Sequence, residues 1–240
     1  MNFARPRDTR TLARRGAGGI LLFPFILLLA LAFLTLLYVA YVLWPRWPTA
    51  AVAPDAPALP VVVGGVAFNV PPAAMRMPVQ RRAGVQDRVD LAFQWPSLAP
   101  PDPQAKLPGD RLFVTIAVAS GALPPAERLK VIYPRYAAPD PQPAPEGLAL
   151  YTFRDGTPYQ GEDLVVDAAA PDKFTVRCAR ERSPQAPATC LYDRRIGEAD
   201  ITVRFPRAWL ERWRPLAAGI DRLIGQLRPG SANETASGSR

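Results

Sequence analysis

The 240-residue sequence contains no histidine. That absence removes imidazole general bases, Ser-His-Asp and Cys-His triads, and most catalytic zinc sites. Two cysteines are too few for a four-cysteine structural metal site. Lysine is scarce, since 26 of the 29 basic residues are arginine, a bias that suggests a GC-rich bacterial genome. The glycines Gly16, Gly18 and Gly19 lack the Lys-Ser/Thr ending of a phosphate loop. Ser97, Ser120 and Ser183 show no Ser-x-x-Lys spacing. Most routes to catalysis are therefore closed, and no cofactor or metal is expected.

Proline is what the chain has in excess. The 29 Pro and 16 Gly make up 19% of the sequence, below the roughly 25–30% of low-complexity chains. So many prolines exclude long helical bundles and coiled coils.

The strongest apolar run is Ile20 to Trp44, which carries no charge and in which seventeen residues are Leu, Ile, Val or Phe. Twenty-five helical residues span about 37 Å, enough for a hydrocarbon core of about 30 Å with some tilt. Pro24 is expected in the first turn, where a missing amide proton costs little. Tyr38, Tyr41, Trp44 and Trp47 form the expected interfacial aromatic belt. Arg5, Arg7, Arg10, Arg14 and Arg15 precede the run against the single acid Asp8, whereas only Arg46 is charged between the run and Asp55. The positive-inside rule puts the N-terminus in the cytoplasm and the rest of the chain outside. Ala51-Val52-Ala53 resembles a signal-peptide cleavage site, but the apolar run is much longer than a typical signal core, so a retained anchor is expected.

These features give a plan of five parts: a basic cytoplasmic tail (1–19), a transmembrane helix (20–44), a Pro/Ala-rich spacer (45–60), a periplasmic β-rich domain (61–228) and a polar tail (229–240). The fold class is α+β, with mostly antiparallel strands, a short internal helix and a kinked amphipathic helix at the end. Val61 to Val70 reads as one strand with a bulge or bend at Gly64-Gly65. Arg88 to Trp95 alternates, with Val89, Leu91, Phe93 and Trp95 on one face. Arg111 to Ala119 is nearly all apolar and reads as a central strand buried on both faces. Leu148 to Phe153 and Leu164 to Val166 suggest a loose hairpin; Lys173 to Arg180, Thr189 to Arg194 and Asp200 to Phe205 complete the strands. A short helix is expected from Pro124 to Tyr133, ending at Pro134. In Pro206 to Leu227, the residues Leu210, Trp213, Leu216, Ile220, Leu223 and Leu227 make one apolar face, with a kink expected at Pro215. That face is expected to pack on the domain's own sheet.

Cys178 and Cys190 suit a disulfide across a hairpin, as an extracytoplasmic compartment permits. The chain-entropy model gives such a bridge about 3 kcal/mol. Eleven intervening residues do not fit a Cys-x-x-Cys redox pair. Met75 and Met77 read as loop packing rather than metal ligands.

The net charge is +8, of which the first 45 residues carry half. Within Lys173 to Arg214 stand ten basic residues against five acids. Arg180, Arg182, Arg194 and Arg195 are therefore the candidate interaction surface, together with the proline-rich loops at 96–108 and 134–145. The expected partners are inner-membrane lipid and another envelope protein. Nucleic acid is not expected, because no recognition motif is present. The leading functional expectation is a bitopic, non-enzymatic protein with a periplasmic interaction domain of assembly or scaffold type. One alternative is binding of an anionic envelope polymer or lipid. The other is a carboxylate-dependent polysaccharide hydrolase using Glu162, Asp163 or Asp167.

Overall fold

A computed structural model describes residues 17–43, 52–102, 110–180 and 187–229. Two compact units divide the chain at Trp47. The first contains helix α1 (Ala17–Leu43). Its segment Pro24–Leu43 has a mean hydropathy of 2.7 and is long and apolar enough to cross a membrane. The side chains of residues 24–43, Tyr38 and Tyr41 included, are exposed. The Thr35 hydroxyl donates to the Leu31 carbonyl at 2.8 Å, so this polar group is satisfied within the helix. The helix starts three residues before the expected boundary. Pro24 therefore lies past the first turn, where its missing N–H leaves the carbonyl of residue 20 without its helical donor. Trp44 and Trp47 lie outside the described residues, as does the cleavage-like residue Ala51.

The second unit is α+β and largely antiparallel, as its alternating segments predict. Its first strands are β1 (Leu59–Val63) and β2 (Val66–Val70), which pair antiparallel. Here the expectation of one bent strand is corrected. Gly64 and Gly65 both have positive φ, 56° and 74°, and close a two-residue hairpin instead. Such a turn needs positive φ at both central positions, which two glycines supply. The spacer also ends earlier than expected, because Leu59 and Pro60 already pair with Val70 and Asn69. The short β3 (Gly84–Val85) adds to β1 in parallel and completes a three-stranded sheet.

The larger sheet has eight strands in the order β4-β5-β11-β10-β9-β8-β7-β6. They are β4 (Arg88–Gln94), β5 (Arg111–Val118), β6 (Gln142–Pro143), β7 (Leu148–Thr152) and β8 (Glu162–Asp167), followed by β9 (Thr175–Ala179), β10 (Thr189–Ile196) and β11 (Ala199–Pro206). Val89, Leu91 and Phe93 are buried on one face of β4, as the alternation predicts. The expectation for β5 needs correction. It lies one strand from the edge, and only Leu112, Val114 and Ile116 are fully buried. Its other face is half-covered, with the Arg76 guanidinium 4.7 Å from the Phe113 ring centre.

The buried face of this sheet carries the main core, shared with Val61, Val63, Phe68 and Val70 of the small sheet. The final helix covers it as well. Leu210, Trp213, Leu216, Ile220, Leu223 and Leu227 are all buried there, so the apolar stripe packs on its own domain. The helical stretch divides, but not at Pro215. A 3-10 segment (Arg207–Arg212) gives way at Arg212, with φ −129° and ψ 51°, to α4 (Trp213–Gln226). Pro215 then falls in the first turn of α4, where no intrahelical donor is required.

The opposite face carries a second, smaller core of Tyr133, Ala137, Phe153, Leu164 and Val166. The helical segment above it runs from α2 (Pro125–Glu127) through a π turn (Arg128–Ile132) into α3 (Tyr133–Tyr136). It therefore passes Pro134 instead of ending there. The widened turn lets Pro134 take the second place of a new short helix, where its missing amide costs little.

Candidate interaction surface

The outer face of the large sheet is polar where the second core does not reach. Asp90, Thr115, Thr202 and Asp193 stand in one cross-strand row through β4, β5, β11 and β10. Thr115 donates to Asp90 at 2.9 Å and Thr202 donates to Asp193 at 2.8 Å. Arg88 grips Asp90 with contacts of 2.8–3.1 Å. Beyond Asp193 the row continues into arginine. Arg128 donates to Asp193 at 3.1 Å, and Arg177 reaches Glu162 at 2.8 Å and Asp193 at 3.8 Å. Burial opposes the charge on Arg177. The surrounding Tyr133, Glu162, Asp193 and Tyr159 outweigh that effect and hold the guanidinium above its ordinary range. Burial pushes the Tyr133 phenol up as well.

A cleft of about 450 Å³ opens beside this row. It carries four cations, Lys173, Arg177, Arg194 and Arg195, against three carboxylates, Asp172, Asp193 and Asp221. Pro124, Leu129 and Tyr133 of the helical segment form its apolar wall. A smaller cleft of about 250 Å³ adjoins it and shares Arg177, Leu191 and Asp193.

The four candidate arginines do not form one patch. Arg194 and Arg195 belong to the distal end of β10 and point to opposite faces of the sheet. Arg194 reaches Asp221 of α4 at 2.7 Å, whereas Arg195 grips Asp200 at 2.6 and 2.9 Å. Arg180 follows β9 at the other end of β10, roughly 20 Å away by strand rise. It serves the fold. With Arg207 it holds the buried Asp163, at 2.9 and 2.7 Å, and it also donates to the Phe153 carbonyl. Arg182 lies outside the described residues.

The carboxylates considered for hydrolysis have structural partners. Both oxygens of Asp163 accept from arginines, Glu162 accepts from Arg177, and Asp167 accepts from the Ala169 amide. Among the described residues, no group of three or more metal-ligating side chains forms. Met75 is buried against β4, bridging Leu91, and Met77 is half-exposed. The disulfide joins Cys178 and Cys190, which stand directly opposite each other in β9 and β10 with Cα atoms 3.9 Å apart. Of the proline loops, 103–109 lies outside the described residues, while Pro134 and Pro139 wall a separate apolar hollow of about 490 Å³.

Composition alone could not find the row of Asp90, Thr115, Thr202 and Asp193, because the four residues come from four strands. Thr202 and Arg204 do alternate with the apolar residues of β11, which marks the outer face. The pairing register of β10 with β11, set by the tight turn at Gly197-Glu198, is what aligns them.

The sequence matches no protein-family model and no curated protein sequence. In structure the chain is similar to Smlt3025, an immunity protein of the Stenotrophomonas maltophilia type IV secretion system. The identity is 14% and the TM-score 0.51, over 71% of this chain and 93% of that one. The Neisseria meningitidis iron-regulated outer membrane lipoprotein FrpD aligns at 10% identity and a TM-score of 0.43, over 72% of this chain and 92% of that one. The likeness to the immunity protein is one of fold: an α+β domain built on a large antiparallel sheet.

Proposed function

We propose that this chain is a membrane-anchored envelope protein whose β-rich domain lies in the periplasm and binds another protein without catalysing a reaction. The mixed-charge cleft at the distal end of β10 carries this reading. Four cations set against three carboxylates, beside an apolar wall, suit a protein surface of mixed character. A polyanionic glycan or lipid surface would meet repulsion from Asp172, Asp193 and Asp221. The arginine partners of Glu162 and Asp163 support a non-catalytic role, since both carboxylates already serve as structural acceptors. The fold shared with an immunity protein of a secretion system is consistent with the same reading. The apolar helix α1 supplies the anchor in this proposal.

The test is chemical cross-linking in intact cells, followed by purification of the tagged full-length chain. One stoichiometric envelope protein is expected, with its recovery reduced by Arg194→Glu. Recovery of the chain alone, with salt-sensitive retention on anionic vesicles, would contradict the proposal and favour the polymer or lipid alternative.

A further inference from the structure

The mixed-charge cleft is more than a surface depression: it is a notch in the sheet. β10 runs to Ile196, but β9 begins at Thr175, whose level is one residue beyond the last pair, Tyr192 with Val176. The tip of β10 therefore extends past its neighbour. The cleft is lined from both faces of the sheet at this point. Asp193 and Arg195 approach it from the outer face, and Tyr192, Arg194 and Asp221 from the inner face. It occupies the place where β9 would run if it were longer.

The ladder fixes which backbone groups look into this space. Gly197 and Glu198 form a two-residue turn closed by Ile196 and Ala199. Closely bonded pairs alternate along an antiparallel ladder, so Ile196, Arg194 and Tyr192 turn their N–H and C=O groups toward β11. Leu191, Asp193 and Arg195 turn theirs the other way. Leu191 meets Arg177 of β9. Arg195 has no such neighbour: among the described residues, no backbone group pairs with it on that side. Its amide and carbonyl face the notch.

We propose that the notch is a strand-addition site, in which a short extended segment of the partner protein pairs with β10 at Arg195 and completes the sheet. Backbone pairing at an open edge needs only an extended chain, and side-chain pockets on either face supply selectivity. On the outer face Leu129 and Tyr133 offer apolar contact. At the rim the Lys173 ammonium, which forms no ion pair among the described residues, offers a counter-charge for a carboxylate on the incoming strand. The occupant is thus an extended segment bearing an apolar residue and an acid. This inference rests on the protein-binding reading and specifies its mode.

The test uses the full-length chain in detergent micelles and a phage library of random linear heptapeptides. Enriched peptides are synthesised with and without N-methyl groups on alternate amides, a change that alters no residue of the protein. Binding is also measured to Arg195→Pro, which removes the edge donor without removing a bond to β11. The expected result is an enriched peptide that loses about tenfold or more in affinity on N-methylation and again on Arg195→Pro, as the loss of one or two backbone hydrogen bonds requires. It should also slow exchange of the Arg195 amide. Enriched peptides indifferent to both changes, or no enrichment at all, would overturn strand addition. Neither outcome would by itself overturn partner binding. If strand addition fails, cross-linking of the same stoichiometric envelope protein by wild type and Arg195→Pro would show that protein binding stands without it.

Discussion

Asp90 shows how this domain keeps charge inside a sheet. Burial alone would raise its carboxyl, but hydrogen bonds from Arg88, Thr115 and Gln80 outweigh burial and hold it below the ordinary carboxylate range. An aspartate whose folded pKa is depressed stabilises the fold fully above its unfolded pKa of about 3.9. That stability is lost as pH falls through the lower folded value. Asp90→Asn should therefore weaken the domain at neutral pH, and the gap from wild type should shrink below about pH 4. Urea titrations at several pH values check this; a gap that stays constant into strong acid would contradict it. Asp163 is another carboxylate held inside the sheet, gripped by Arg180 and Arg207. Asp163→Asn would strand two guanidinium groups, at a cost of about 2–4 kcal/mol, reduced from a fully buried pair because both arginines retain some solvent contact. A variant as stable as wild type would free Asp163 for a chemical role and reopen the hydrolase alternative.

At the scale of elements, α4 tests the packing account with one substitution made at two places. A Cβ at Gly219 would stand 2.6 Å from the Trp95 ring, which itself stacks on Trp209. A Cβ at Gly225 would meet nothing within 4 Å. Gly219→Ala should destabilise the domain, because overpacking costs about 1–3 kcal/mol against a helix-propensity gain of at most about 1. Gly225→Ala should be neutral to stabilising, by up to about 1 kcal/mol. Thermal unfolding of both variants decides, and equal signs would contradict this picture of the helix–sheet contact. Elements like α4 were legible in the sequence because their periodicity reports burial directly: the stripe from Leu210 to Leu227, and the alternation from Val89 to Phe93. The cysteine pair was legible because a hairpin between its two strands sets Cys178 opposite Cys190. Less legible were features set by contacts between distant segments. Gly64-Gly65 reads as a bulge or bend within one strand until β2 is seen to fold back on β1. The notch exists only because β10 outruns β9. Grouping arginines by sequence proximity failed because Arg194 and Arg195 leave opposite faces of one strand and Arg180 stands at its other end.

At the scale of the whole molecule, an apolar helix and a disulfide-linked α+β domain belong to one chain. The proposed arrangement places that domain in the periplasm, where an oxidising environment keeps Cys178 and Cys190 joined and an envelope partner can reach the notch. Both the bridge and the partner depend on export, so topology is the central claim. The most direct test combines thiol trapping with protease treatment of cells whose outer membrane has been permeabilised. The account predicts that the domain is accessible to protease, that the two cysteines resist alkylation until reduced, and that the arginine-rich N-terminal arm stays protected. Free thiols in a domain shielded by the inner membrane would contradict it.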